Sequence, residues 1–574
     1  MPTIDIREVD ISTVSTADVT TNTVYVPGFA LTGPVGTPIL CSTLDEFQSI
    51  FGPVPYKFQN SGSSVTFPAN GSSTTYTVPY SWSIGQPDPS YVYASDLLRL
   101  GLPVIYHRVN SDSRKSKIDL SSVAGLAVAE SVYSGLSSAD IKVSLEKVTQ
   151  SISGTNYYGY VITVSRDANA DTGMPAVSNV KTYFTFSDEF YKSNPKYIKM
   201  PLSPNVAESG DPVYDYKYTM DNSGLVQIAS GSADFTVAVT TPTNLVYQAT
   251  DGLNHIDCVP AGLYTMLYYE NNIASLKDKN EYVFKFITSG GYPSFFYGTT
   301  DTTVISDNIL NVATVRKDIT ALIDYSVNAD SITNAPTLIR NHIDTWIGAK
   351  SLVDGEDQGN YATTFIPWCT FNSPTLSGQQ ITLPPSFAYL SALANSTQTY
   401  ANWYAVAGVT RGFIPNLVGT SYNISEAVGN ALQPTNDVSI NPIQLIRPYG
   451  YRIWGSRTLR DNSKYGQGED TLMATSFLNV RQLANDIKRT VYVAIKDCMF
   501  EPDDDVLWIN FKSKITPLLD QMKGNRGLTE YTMRRVKADK KATLKAVITA
   551  YVIDPVEHFD ITLELSDDQV SVTE

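Results

Sequence analysis

Four cations, Arg481, Lys488, Arg489 and Lys496, gather within roughly 80° of one another when residues 477–498 are drawn as a helix at about 100° per residue. Long side chains of one sign on one face suit reversible contact with an acidic surface. Each exposed ion pair contributes only about 0–1 kcal/mol, so several together hold a register and still release. A solvated helix face is the alternative, and these residues alone leave both open. Phe477, Val480, Leu483, Ala484, Ile487, Val491, Ala494, Ile495 and Cys498 fill the adjoining face, while Asp486 and Asp497 fall on a third side. The expected helix packs along one face and presents a basic stripe on another. Its setting is basic too: residues 447–545 hold 19 Lys+Arg against 12 Asp+Glu, in a chain whose net charge is −15. The 29 residues that follow carry seven acids and no Lys or Arg. A basic module followed by an acidic tail points to an acidic partner.

Other residue types with chemical potential are scattered. His107, His255, His342 and His558 have no metal-ligand spacing, and Cys41, Cys258, Cys369 and Cys498 lie far apart in sequence. Free thiols in a reducing cytoplasm are the expected state. Asp503–Asp505 reads as a helix cap rather than a catalytic carboxylate cluster. Gly466-Gln467-Gly468 lacks the flanks of a phosphate loop, and no Gly-x-Ser-x-Gly element occurs. Neither an enzyme nor a cofactor or metal is expected. A pI near 4.8 disfavours direct nucleic-acid binding. Without a leader pattern at Met1 or an apolar run long enough for a bilayer, cytoplasmic synthesis and no membrane anchor are expected.

The elements that must position the basic helix read as an α+β multidomain chain. With 574 residues, several cores are needed. Residues 1–26 form a polar N-terminal arm in which "TIDIREVDI" can extend as a strand. An α/β body occupies 27–114 and 301–445. Within it, 28–52 and 91–109 read as strand, helix, strand, and 55–90 as a hairpin excursion. Ile309, Val312, Ala313, Ile319 and Leu322 give Ile305–Val327 a helical pattern. Residues 115–300 read as an inserted all-β domain, with strand-like runs "IKVSLEKV", "YYGYVITVS", "KTYFTFS", "DFTVAVT" and "YVFKFIT" between turn clusters. The C-terminal module, 446–555, holds two helices and a β-hairpin. Phe511, Ile515, Leu518, Leu519 and Met522 form the apolar face of its second helix, which Gly524 stops. "HFDITLEL" supplies one more strand in a C-terminal arm, 556–574.

The motif order resembles that of contractile tail sheath proteins of bacteriophages and related injection machines. "RIWGSRTL" (Arg452–Leu459) is followed by the helix start Asn479–Arg481, "FEP" (Phe500–Pro502), a second helix and a basic strand. Upstream, Val26–Gly52, Tyr91–Val109, the Pro-Pro-Ser region within Tyr361–Gly408 and the Asn-Pro element Ile440–Ile446 resemble segments of the same family. The resemblance implies hexameric rings of this chain stacked as a helical sheath around a tail tube protein, ended by baseplate and tail terminator proteins. It implies a virion tail assembled in the bacterial host cytoplasm, whose contraction from a metastable extended state drives the tube through a target envelope. With no nucleotide motif, the work would come from two packings of the same domains. By the resemblance, Arg481, Lys488, Arg489 and Lys496 face the tube and residues 115–300 face outward. Subunits would link by strand exchange. The N-terminal donor would present Ile4, Ile6, Val9 and Ile11, and the C-terminal donor Phe559, Ile561, Leu563 and Leu565. The acceptor hairpin, about 529–537 and 543–553, would carry Tyr531, Met533, Leu544, Ala546, Ile548 and Ala550. The other readings are a capsid or fibre component, or a β-rich hydrolase.

Overall fold

The computed structural model describes residues 22–55, 86–109, 141–168, 176–199 except 186, 267, 270–295, 303–325, 334–465 except 354, 472–536 except 497 and 503, 544–553, 555 and 557, with the backbone alone of short strands between 64–77, 117–131 and 202–244. The body is built on a six-stranded sheet in the order Ala362–Thr363, Thr320–Leu322, Phe286–Ile287, Val24–Gly28, Val104–Arg108, Pro38–Cys41. The first five strands are parallel and the last is an antiparallel edge. Parallel strands joined by helices are covered on both faces, so their side chains alternate between two cores. Val24, Val26, Val104, Tyr106, Phe286 and Leu322 point into one, with the helices Leu44–Phe51, Pro89–Arg99 and Pro385–Thr397. Tyr25, Ile105, Ile287, Ala321 and Ile323 point into the other, with Val304–Arg316 and Ala335–Gly348.

This sheet moves three expected boundaries. Val24–Gly28 is a fully buried strand, so the N-terminal arm stops short of residue 26. The helical pattern over Ile305–Val327 breaks at Arg316: Lys317 takes a left-handed conformation (φ 59°) and its N–H donates to Ala313 O at 2.8 Å. Leu322 therefore belongs to the strand Thr320–Leu322, and Ile319 to the bend before it, and neither to the helix. The inserted domain ends before residue 267, because Leu267, Ile273, Leu276 and Phe284 lie in the body core and "YVFKFIT" supplies the body strand Phe286–Ile287. Adjacent, Gly290 (φ 70°) must be glycine, since a Cβ there would meet Pro27 O at 1.7 Å.

The insertion itself is β-rich. Ile141–Ile152 and Thr155–Arg166 pair antiparallel through a two-residue turn, Ser153-Gly154, with φ of 54° and 84°. They sit in a five-stranded sheet ordered Ile198–Lys199, Val177–Thr185, Thr155–Arg166, Ile141–Ile152, Val239–Asn244. The expected excursion in 55–90 is a hairpin of Ser64–Ala69 and Ser72–Thr77.

The Asn-Pro and Arg-rich motifs stitch the far side of the body. Asn441–Ile446 pairs with Phe365–Ile366 and with Gly450–Ile453. The Asn441 amide donates to Thr363 Oγ1 (2.9 Å), Thr364 O (3.2 Å) and Arg457 O (2.8 Å), and accepts from Arg457 N (2.7 Å). Leu459 lies in the body core. "RIWGSRTL" thus packs with the body, as does Leu478, and the separate core of the two helices and hairpin starts at Leu483.

Candidate assembly site

The first helix of the module, Leu478–Lys496, buries two faces. Its apolar side, Leu483, Ile487, Val491 and Ala494, packs on Phe511, Ile515, Leu519 and Met522 of the second helix, Asp505–Gly524. Its polar side lies on the body, across the beginnings of two sheet strands. Lys285 Nζ bonds Asp486 Oδ1 at 2.8 Å and Oδ2 at 3.1 Å. Arg489 Nη2 donates to Asp318 O, with Nε 3.5 Å from Asp318 Oδ2 and Nη1 3.6 Å from Asp486 Oδ1. Arg316 grips Asp318 with Nε–Oδ1 at 3.0 Å and Nη2–Oδ2 at 3.1 Å. Three cations and two carboxylates share this buried seam, and burial lowers the proton affinity of Lys285 and Arg489 despite their acidic partners.

This seam corrects the expected basic stripe. Arg481 and Arg489 are only 3% and 7% exposed. The Arg481 guanidinium stacks 4.8 Å from the Tyr361 ring centroid, and burial lowers its pKa. Lys488 is half-buried beside the same ring, its Nζ 3.4 Å from Tyr361 Oη, and burial next to Arg481 pushes its pKa down to about 8. Of the four, Lys496 alone is on the open surface, over the Tyr492 ring at 5.0 Å. The physical reason is that the body supplies Asp318 and Tyr361 opposite the helix, which helical periodicity cannot reveal.

The second helix has the expected start. Asp504 caps it, accepting from Leu507 N at 2.8 Å, and Asp505 sits in the first turn. Gly524 is its last residue. Its far end is tied to the body: Trp403 Nε1 and Tyr404 Oη donate to Asn525 O at 3.1 and 3.3 Å.

The hairpin follows as Leu528–Val536 paired antiparallel with Lys545–Val552. Tyr531 lies opposite Ala550, and Met533 opposite Ile548. Tyr531, Met533, Ala546, Ile548 and Ala550 form the half-buried face against the helices. Leu544 lies one residue before its strand. Tyr531 Oη donates to Asp520 Oδ1 at 2.5 Å, and Arg535 Nη1 lies 3.2 Å from Asp505 Oδ1, so the hairpin is held to its helix at two points. Among the described residues this is a two-stranded sheet, with no third strand on either edge. The donor positions Ile4, Ile6, Val9, Ile11, Phe559, Ile561, Leu563 and Leu565 lie outside the described residues.

Among the described residues, no group of three or more His, Cys, Asp or Glu is placed to hold a metal ion. Cys41, Cys369 and Cys498 are free thiols, and burial pushes Cys41 up to about 12. His107 hydrogen-bonds Tyr25 Oη at 2.7 Å, and burial lowers it to about 4. His255, His558 and Cys258 lie outside the described residues. No described helix is long and apolar enough to cross a membrane.

Sequence reasoning missed the role of the Pro-Pro-Ser motif. Asp324 is buried at the start of helix Pro385–Thr397, where it accepts from Ser386 N at 3.1 Å and Ser386 Oγ at 2.6 Å. Tyr93 Oη lies 3.0 Å from the same Ser386 Oγ.

No family model matches the sequence, and no curated protein matches it. Solved structures do. The crystal structure of the sheath tail protein of Listeria innocua is 9% identical and aligns with 93% of this chain and 98% of its own, with a TM-score of 0.50. The sheath tail protein of Desulfitobacterium hafniense is 10% identical over 96% of this chain and 100% of its own, with a TM-score of 0.44. The sheath complex of the PVC extracellular contractile injection system, in its contracted state, is 18% identical over 45% of this chain and 68% of its own, with a TM-score of 0.33. By its agreement with the Listeria protein over nearly the whole of both chains, this chain has the fold of a tail sheath protein.

Proposed function

We propose that this chain is the structural subunit of a contractile tail sheath. Its copies stack as hexameric rings in a helical sheath around a tail tube protein, between a baseplate and a terminator, in a virion tail assembled in the bacterial cytoplasm. The observation that carries the reading is the hairpin Leu528–Val552, an alternating sheet with no third described strand, in a chain that folds like a sheath tail protein. An uncovered strand edge offers a row of backbone donors and acceptors, so an added strand binds through main-chain hydrogen bonds largely independent of its side chains. The segment 557–566 alternates apolar residues, 3–11 carries the pairs Ile4/Ile6 and Val9/Ile11, and both are the proposed donors. The insertion faces outward and the C-terminal module faces the tube. Of the four cations read from sequence, Lys496 is the one free to meet a tube. The chain acts without catalysis, by changing the packing of its copies.

Removing residues 1–20 tests the linkage. The truncated chain keeps every described body strand, so circular dichroism should match that of the full chain while negative-stain microscopy shows no tubes. Normal tubes from it would exclude strand exchange through the N-terminal arm.

A further inference from the structure

Two exposed patches of this chain are alike in apolar character and opposite in charge. The first is the tip of the two-helix module. Phe500, in the connection between the helices, is fully exposed, and Met499, Val506 and Ile509 are more than half exposed. Val506 and Ile509 lie three residues apart on the outer side of the second helix, opposite the buried Phe511 and Ile515. Phe500 has a φ of 68°, a left-handed conformation that a bulky residue seldom adopts. Such a backbone under a fully exposed ring points to a use for that ring. Residues 499–511 hold four acids and no Lys or Arg. Arg535 offsets Asp505, while Glu501 and Asp504 also lie on the surface.

The second patch is the body hairpin of Asn441–Ile446 and Gly450–Ile453. Residues 438–456 hold two Arg and no acid. Arg447 and Tyr449 are exposed at its turn, and Trp454 and Phe413 are each more than a third exposed. Trp454 N donates to Pro442 O at 2.9 Å and so extends the ladder, which puts its ring on the same side as Arg452. Arg452 is preset: Nε donates to Val409 O at 2.8 Å, Nη1 donates to Tyr451 O at 2.7 Å, and the guanidinium lies 4.8 Å from the Phe413 ring centroid. Exposed apolar groups rimmed by charge mark contact surfaces, and Tyr, Trp and Arg are the residues that most often anchor them. We propose that the acidic tip of one copy docks on the basic hairpin of a second copy of this chain, with Phe500 against Tyr449 and Trp454 and Glu501 facing Arg447. Charge selects this occupant. Each patch repels its own twin, which disfavours a twofold contact, and each is matched by the other. Two different surfaces that fit each other join copies head to tail, and that contact repeats into closed rings or an open helix. The inference deepens the sheath reading and rests on it, and the experiment separates the two.

The variants are Glu501→Lys, Arg447→Glu, the two combined in one chain, and Phe500→Ser. Circular dichroism checks that each folds, and negative-stain microscopy counts sheath tubes. Each single reversal should lower the yield of tubes about tenfold, because like charges then meet across the contact, and the combined chain should recover to within about twofold of wild type. Phe500→Ser should lower the yield as well. Wild-type yields from both single reversals would refute the docking. So would loss in both without recovery in the combined chain, since the two patches would then face something other than each other. Should a reversal fail to fold, Phe500→Ser decides: wild-type tubes from it refute the docking. A Phe500→Ser chain that forms sheath tubes by itself but no longer coats a preformed tail tube would assign the tip to the tube protein and overturn the contact between copies. If the wild-type chain forms no sheath tubes, the sheath reading falls, and sedimentation of the same chains tests the docking alone. Wild-type oligomers that each reversal dissolves and the combined chain restores would support it, and a monomeric wild type would refute it.

Discussion

Asp324 is a carboxyl kept in the protein interior by two hydrogen bonds from Ser386 and by the positive end of helix Pro385–Thr397. Burial nevertheless dominates and raises its pKa to about 7. The folded state therefore binds this proton more tightly than the unfolded chain, whose Asp titrates near the ordinary value of about 3.9. Its contribution to stability is fully present below about pH 4 and is lost as pH rises through about 7, with a limiting slope near 1.4 kcal/mol per pH unit. Asp88, raised to about 6 by burial, adds in the same direction. Urea unfolding should show higher stability at pH 5 than at pH 8, and Asp324→Asn should flatten that dependence; an unchanged slope in the variant would show that Asp324 is ionised in the fold. The sequence offered the Pro-Pro-Ser region only as a family resemblance; Asp324 lies 62 residues away from Ser386 and only the tertiary fold joins them.

At the scale of elements, helix Leu478–Lys496 shows what periodicity can and cannot tell. Most of the apolar face was legible from spacing alone, although Ile495, assigned to it, is 39% exposed, and so were a cap within Asp503–Asp505 and the stop at Gly524. The charged face was misread as open because the same spacing fits a helix lying on a surface of opposite charges. Here Lys285 and Asp318 come from loops before sheet strands, far off in sequence. The distinction has consequences for charge reversal. Arg489→Glu would set a third carboxylate against Asp318 and Asp486, and should unfold the module or detach it from the body. Lys496→Glu, on the open surface, should leave stability within about 0.5 kcal/mol. Asp486→Ala strands Lys285, and breaking such a pair costs about 3–5 kcal/mol. Replacing both members, Lys285→Met with Asp486→Leu, should recover most of that loss. Chemical denaturation of the four variants checks the order. Equal stability for Arg489→Glu and Lys496→Glu would return both residues to the solvated face that the sequence suggested.

At the scale of the whole molecule, a mixed α/β chain of several sheets and helices was legible in outline. The insertion's end was not, because "YVFKFIT" has the same composition as the strands before it and nothing local tells a body strand from an inserted one. The body claims it by packing: Ile273, Leu276, Phe284, Ile287, Tyr292 and Phe295 share one core with Val109 and Leu267. Two deletions, one ending before Leu267 and one running past the strand Phe286–Ile287, therefore have opposite outcomes. Removing 110–266 through a short Gly/Ser linker joins Val109 to Leu267, two residues of that one core, and leaves all six strands of the body sheet in place. That chain should fold and form tubes, thinner in outline if the insertion faces outward. Removing 115–300 takes the strand Phe286–Ile287 from the middle of the sheet together with the core residues around it. Truncating a single buried aromatic costs about 3–5 kcal/mol, and a domain holds only about 5–15 kcal/mol in all, so this chain should not fold. Thermal unfolding and microscopy of the pair decide it. A cooperative transition in the longer deletion would mean that Phe286–Ile287 is dispensable to the sheet. Failure of the shorter one to assemble, with its body folded, would place the insertion in the contacts between subunits rather than outside them.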